Sequence, residues 1–385
     1  MVGKEKVSHK GNDRMDIREF LSTHYLEERL KCGINMKNIY CTLFDSGYLD
    51  KGLVMYHSLQ TATNDFKLYV LAMDDICFRV LEKYDLPNLT LISLNEFEDD
   101  ELKVAKRNRS KAEYCWTCSS GLIYYIFKRY HEEICTYIDA DLYFYQDPQI
   151  LVDEIVNNKA SIGLIEHRFP KNIEGKYSQQ NSGTYCVQFN TFRNDVSGME
   201  ALEYWRRCSL EDCRKTSDGK HFGDQMYLED WLERFEKVHV IQNEGAGLAR
   251  WNISDYKNYN PVDNTIFYKR EKERVGMVFY HFHGIEMLSD QEAKINVFPT
   301  IGWHDKKSVN EIYGDYLYRI YKMRQKLRLD FGLDWKINKT QNINGSKRNY
   351  YRLRLLFSKN GLLYFIKFLT NRIYGKMDIV SIDEG

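Results

Sequence analysis

Ile134-Cys135-Thr136-Tyr137-Ile138-Asp139-Ala140-Asp141-Leu142-Tyr143-Phe144-Tyr145 is the stretch that decides the fold. Its β-branched and aromatic residues, bounded by His131-Glu132-Glu133 and Gln146-Asp147-Pro148, predict a buried strand. Alternation along that strand sends Asp139 and Asp141 to one face and Ile138, Ala140 and Leu142 to the other. Two carboxylates then share one small space, and burying even one unpaired carboxylate costs on the order of several kcal/mol. A divalent cation would remove that cost and leave coordination positions for phosphate oxygens. The competing reading is a solvated strand end where both carboxylates face water.

Strands alternate with helices on both sides of this stretch. Residues 38–44 predict a first strand, Asp45-Ser46-Gly47 a turn, and Leu53, Tyr56, His57 and Leu59 a helix over 49–59. Strands follow at 66–73 and 89–94 with a helix at 75–84 between them, and an apolar helix over 111–130 delivers the chain to the central strand. This order predicts βαβ units and a parallel sheet. In such sheets ligands sit beyond the carboxyl ends of the strands, where Asp139 and Asp141 fall. Residues 95–110 carry Lys106, Arg107 and Arg109, either on a solvated loop or near a diphosphate.

Beyond Pro148 the pattern gives a helix to about 157, a strand at 160–166 and a polar, mobile loop at 169–180. A strand containing Asn181-Ser182-Gly183-Thr184-Tyr185-Cys186-Val187-Gln188-Phe189-Asn190 comes next, then a helix at 196–209. Another helix opens at Asp224-Gln225, and a short strand occupies 238–242. In a late strand, Met277-Val278-Phe279-Tyr280-His281-Phe282-His283-Gly284, alternation puts His281 and His283 on one face. Imidazole suits Mn²⁺-type ions, so the pair reads either as metal ligands or as satisfied structural histidines. Residues 1–37 form a polar leader with a short helix capped by Asp16. The tail is helical and charged, and 347–372 mixes Lys and Arg with aromatic residues. That segment either packs on the domain or touches the inner, anionic membrane face.

The 385 residues balance 55 Lys and Arg against 55 Asp and Glu. Such neutrality gives no support to a nucleic-acid partner read through bulk charge. No apolar leader and no run of the roughly 18 apolar residues of a membrane span occurs, so a cytoplasmic protein is expected. Nine cysteines, an odd number without regular spacing, fit a reducing compartment. Cys115 and Cys118 form a lone Cys-x-x-Cys inside a helical pattern, where Cys is an ordinary small hydrophobe. The 29 tyrosines offer amphipathic surface for sugars or bases, or simply a Tyr-rich core.

Tyr137-Ile138-Asp139-Ala140-Asp141 with Asp147-Pro148, then Asn181-Ser182-Gly183, Asp224-Gln225 and His281-Phe282-His283-Gly284, resembles the GT-A glycosyltransferases of the family 8 kind. Those include glycogenin and bacterial lipopolysaccharide glycosyltransferases. Leu248-Ala249-Arg250-Trp251-Asn252 is similar to a segment of bacterial surface-polysaccharide transferases. The likeness covers about residues 38–325. It implies an α/β GT-A fold with a Rossmann-like, mostly parallel central sheet flanked by helices. The catalytic domain would span 38–304, with a nucleotide half to about 145 and an acceptor half after it, followed by a helical extension over 305–385.

By that resemblance Asp139, Asp141 and His281 would ligate Mn²⁺ or Mg²⁺ on the diphosphate of a nucleotide-sugar donor, UDP foremost. Leu43, Asp45, Tyr48, Lys111, Ala140 and Asn181 would contact the donor, and Asp224 and Gln225 would stand beside the anomeric carbon. The acceptor would be a glycan or lipid-linked glycan, and transfer would retain anomeric configuration. Two positions depart from the family pattern: Gly47 stands where the family has Asn, and Met287 where it has Lys. A sugar-phosphate nucleotidyltransferase would need a Gly-rich phosphate loop, which Asp45-Ser46-Gly47-Tyr48 does not supply. A metal-dependent phosphohydrolase would show more clustered ligands, and a carbohydrate-binding scaffold without turnover is the third competitor.

Overall fold

The structure, a computed structural model, describes residues 38–295, 297, 305–335 and 379–381. The Asp16-capped leader helix and the basic-aromatic segment at 347–372 lie outside the described residues. The unit beginning at Asn38 is built on a seven-stranded sheet. Its strands are β1 (Asn38–Phe44), β2 (Phe66–Ala72), β3 (Leu89–Ser93), β4 (Ile134–Ile138), β6 (Ile162–Glu166), β7 (Tyr185–Arg193) and β8 (Val238–Val240), β5 belonging to another sheet. The order β3-β2-β1-β4-β7-β6-β8 is parallel at every pairing except the two made by β7. The expected α/β architecture with a mostly parallel sheet is therefore present. Every residue of β1 is buried, as a strand covered by helices on both faces must be.

The principal helices are α1 (Leu49–Ala62), α2 (Asp75–Tyr84), α3 (Lys111–Tyr130), α4 (Gln149–Asn157), α5 (Ile173–Ser182), α6 (Val196–Glu211) and α7 (Lys306–Phe331). Local chemistry starts them: Asp74 accepts from Cys77 N at 2.9 Å, and Ser110 with Glu113 forms a capping box before α3. Helix α1 lies close on β1 because Gly52 has no side chain; a Cβ there would stand 2.6 Å from the Phe44 ring. Helix α7 packs on α1 through a buried ion pair, Arg324 Nε to Asp50 Oδ2 at 2.7 Å. No described helix is long and apolar enough to cross a membrane.

The structure differs from the sequence reading in four places. The strand predicted over 134–145 ends at Ile138; the chain turns through Asp139–Asp141, with Leu142 N donating to Asp139 O at 3.3 Å, and enters β5 (Leu142–Phe144) in a separate sheet. The polar stretch at 169–180 is largely helix α5, because Asn172 caps it by accepting from Gly175 N at 2.8 Å. Residues 95–110 contain the helix Asp100–Lys106, and Lys106 pairs with Glu98 at 2.6 Å. Asp224 and Gln225 open only a single 3₁₀ turn, Met226–Leu228.

Candidate active site

Strand register assembles the site. β5 runs antiparallel to β13 (Phe279–His281), with Leu142 opposite His281, and Phe282 N donates to Asp141 O at 2.9 Å. The same β13 runs parallel to β9 (Leu248–Ala249), with His281 opposite Ala249. Across β4, the antiparallel register of β7 sets Phe189 beside Ile138, so Asp139 N donates to Gln188 O at 3.1 Å. A turn, a strand end and a neighbouring strand thus bring Asp139, Asp141, His281 and Gln188 together. The shared side of the two aspartates comes from this turn rather than from strand alternation.

His281 Nε2 lies 3.0 Å from Asp141 Oδ1 and 3.5 Å from Asp139 Oδ2, while its Nδ1 donates to Gln188 Oε1 at 2.8 Å. Burial works against charge on the ring, yet Asp141, the hydrogen bond to it and Asp139 outweigh burial and hold the His281 pKa above its usual value. Burial pushes the Asp139 carboxyl up, and Asp141 and Asp224 add to the rise against the pull of His281. Asp141 is held below the usual range: burial opposes, but His281, then His283 and Lys51, prevail. Protons and a divalent cation would therefore compete for the same atoms.

The donor set fits a hard divalent cation. Cis ligands on an octahedral Mg²⁺-type ion, at about 2.1 Å each, stand about 3.0 Å apart, close to the observed spacings. Ligand atoms of Asp141, His281 and His283 all lie within 4.8 Å of one another, so the second histidine joins the group although β13 ends before it. With Gln188 accepting from Nδ1, the Nε2 lone pair is the one free for a metal. Trp251 meets the His281 ring edge-on at 5.3 Å and is held by its Nε1 donating to His167 O at 2.8 Å. Asn252 ties the same loop, accepting from Ala249 N and donating to His167 O, both at 2.9 Å. The Leu248 to Asn252 segment therefore braces His281.

Of the expected donor contacts, Asp45 and Tyr48 follow β1, Lys111 opens α3, Ala140 lies in the turn after β4 and Asn181 in the last turn of α5. Asp45 Oδ1 accepts from Tyr48 N at 3.1 Å, and Lys111 Nζ is 2.7 Å from Asp45 Oδ2 and 3.6 Å from Asp74 Oδ2. Tyr48 is 42% exposed, yet the charge of Asp141 foremost, then burial and Asp139, raises its hydroxyl pKa. The turn thus adjoins the acidic pair. Leu43 and Ala140 are buried walls rather than polar contacts. Trp335 Nε1 donates to Gly47 O at 3.3 Å, so the segment after α7 steadies this turn.

Asp224 is buried, with Oδ2 lacking a hydrogen-bond partner among the described residues, and burial pushes its carboxyl up to about 7 against a hydrogen bond from Ser119. Gln225 donates to Ser182 O, and Asn181 Nδ2 to Tyr177 O at 2.7 Å. Asn181 and Met226 line an open cleft of about 970 Å³ whose lining includes none of Asp139, Asp141, His281, His283 and Gln225. Gln188 escaped the sequence reading. Its signal was a buried amide in the strand Tyr185–Arg193, since such an amide needs partners.

No protein-family profile matches the chain. Over 295 residues it is 30% identical to the uncharacterized Bacillus subtilis (strain 168) protein YfnD, covering 76% of this chain and 91% of YfnD. The chain belongs to the same family as YfnD. Uncharacterized YfnF of the same strain is 29% identical over 303 residues, covering 77% of this chain and 97% of YfnF. Solved structures similar to this YfnD relative include the galactosyltransferase LgtC in complex with donor and acceptor sugar analogs. Identity there is 15%, over 64% of this chain and 87% of that one, with a TM-score of 0.40. The mouse xyloside xylosyltransferase 1 is 13% identical over 64% and 97%, with a TM-score of 0.41. The glycosyltransferase GlyE of Streptococcus pneumoniae TIGR4 is 12% identical over 79% and 66%, with a TM-score of 0.42. Likeness at this level leaves the chemistry of the YfnD family to be argued from the site.

Proposed function

We propose that this protein is a metal-dependent glycosyltransferase of the GT-A kind, moving a sugar from a nucleotide-sugar donor, a UDP-sugar foremost, to a hydroxyl of a glycan or lipid-linked glycan. One observation carries the reading: Asp139, Asp141 and His281 converge beyond the carboxyl end of β4, beside the Asp45 to Tyr48 turn. A divalent cation held by these three, with His283 in reach, would act as a Lewis acid on the departing diphosphate. Gln188 orients His281 for that task. Tyr48 and the Asp45 turn take the nucleoside end, with Lys111 fixing Asp45. Asn181 and Gln225 reach the sugar, and Asp224 stands behind them with an unmatched oxygen for a sugar hydroxyl. The motif likeness to family 8 supports retention, and product NMR showing inversion would remove that part alone.

The test is incubation with a panel of nucleotide sugars in Mn²⁺ or in chelator. Metal-dependent release of nucleoside diphosphate supports the reading. Pyrophosphate release would point to a nucleotidyltransferase, and absence of binding to a scaffold.

A further inference from the structure

A cation bound by Asp139 and Asp141 is neutralised by them, so the two to three negative charges of a diphosphate need separate compensation. Lys51, in the first turn of α1, has a side chain only 12% exposed. Its ammonium lies 4.4 Å from the centre of the Tyr48 ring and 3.6 Å from Asp50 Oδ1, and its charge reaches Asp141. Arg250 lies next to the histidines. It follows Ala249, the residue opposite His281, and its Nη1 would stand 3.3 Å from a Cβ on Gly284, next to His283. Its charge is felt at both histidines.

We infer that Lys51 and Arg250 are two cations that receive the diphosphate of the donor beside the Asp141, His281 and His283 group. The inference rests on the nucleotide-sugar reading of the same site. Two cations beside one acidic group would otherwise weaken its hold on a metal, so their placement makes sense when an anion arrives with the cation. Each offers charge-assisted hydrogen bonds to phosphate oxygens, Arg250 in a fork and Lys51 as a point charge.

Inorganic pyrophosphate with Mn²⁺, titrated calorimetrically into the full chain, is the probe. Wild type is expected to bind it, Lys51→Met and Arg250→Met each to weaken it about tenfold or more, and Lys51→Arg to restore most of the loss. Mn²⁺ alone should bind the variants as tightly as wild type or more tightly, a sign that a merely structural role would not give. Lys51→Gln and Arg250→Gln serve where a Met variant fails to fold. Unchanged pyrophosphate affinity, a parallel loss of Mn²⁺ affinity, or a wild type that binds no pyrophosphate would each overturn the inference. Nucleotide-sugar turnover with pyrophosphate binding indifferent to both residues would sink it and leave the transferase standing; pyrophosphate binding without turnover would do the reverse.

Discussion

Gln188 reaches His281 from β7, and its amide oxygen decides which ring nitrogen faces the aspartates. Gln188→Leu should therefore weaken Mn²⁺ binding about 10- to 100-fold while the backbone bond from Asp139 N persists. An unchanged Mn²⁺ affinity would remove Gln188 from the account. Asp224 gives a pH dependence. Its folded pKa of about 7 lies above the value near 3.9 of an unfolded chain. Between those values the folded state holds a proton that the unfolded state has lost. Its contribution is thus full below about pH 4 and falls by roughly 1.4 kcal/mol per pH unit as pH rises towards about 7, then levels off. In chelator, Asp224→Asn should melt higher relative to wild type at pH 8 than at pH 5; a pH-independent difference would contradict the sign. The meeting of Asp139, Asp141 and His281 was legible only in part: the residues stand out in the sequence, but the turn after Ile138 and the pairing of β5 with the histidine strand bring them together. Gln188 and Lys51 were not, since a partner supplied by another element leaves no spacing to read.

At the scale of elements, α1 connects the Asp45 to Tyr48 turn to the rest of the unit: Gly52 lets it lie on Phe44, and Arg324 of α7 meets its Asp50. Arg324→Met would leave Asp50 buried with Lys51, at 3.6 Å, as its remaining salt-bridge partner among the described residues. The expected cost is about 3 kcal/mol in denaturant unfolding, against under 1 for the exposed partner change Arg319→Met, whose ion pair with Asp315 is a surface one. Equal costs would show that α7 does not anchor α1. The periodic elements were legible: β1, β2, α2 and α6 fall where apolar spacing put them. The break after Ile138 was not, because Leu142-Tyr143-Phe144 is as strand-like as what precedes it and only pairing with β13 shows that it has left the first sheet. Helix α5 was missed because its sequence, Ile-Glu-Gly-Lys-Tyr-Ser-Gln-Gln-Asn-Ser, has little apolar face and starts from a cap.

Across the whole molecule, a mostly parallel sheet brings the ends of β1, β2 and β4 to one edge, and a second small sheet carries the histidines to meet them. Alternating strands and helices made the first legible; the second depends on short pairings distant in sequence. The central claim is that this edge holds a metal for the sake of a nucleotide sugar. The most direct measurement is release of nucleoside diphosphate from a panel of nucleotide sugars, run with Mn²⁺ and with chelator, for wild type and Asp141→Asn. The account predicts release with at least one donor, dependent on Mn²⁺ and reduced at least a hundredfold by the substitution. Release that persists in chelator, or that Asp141→Asn leaves intact, would contradict it.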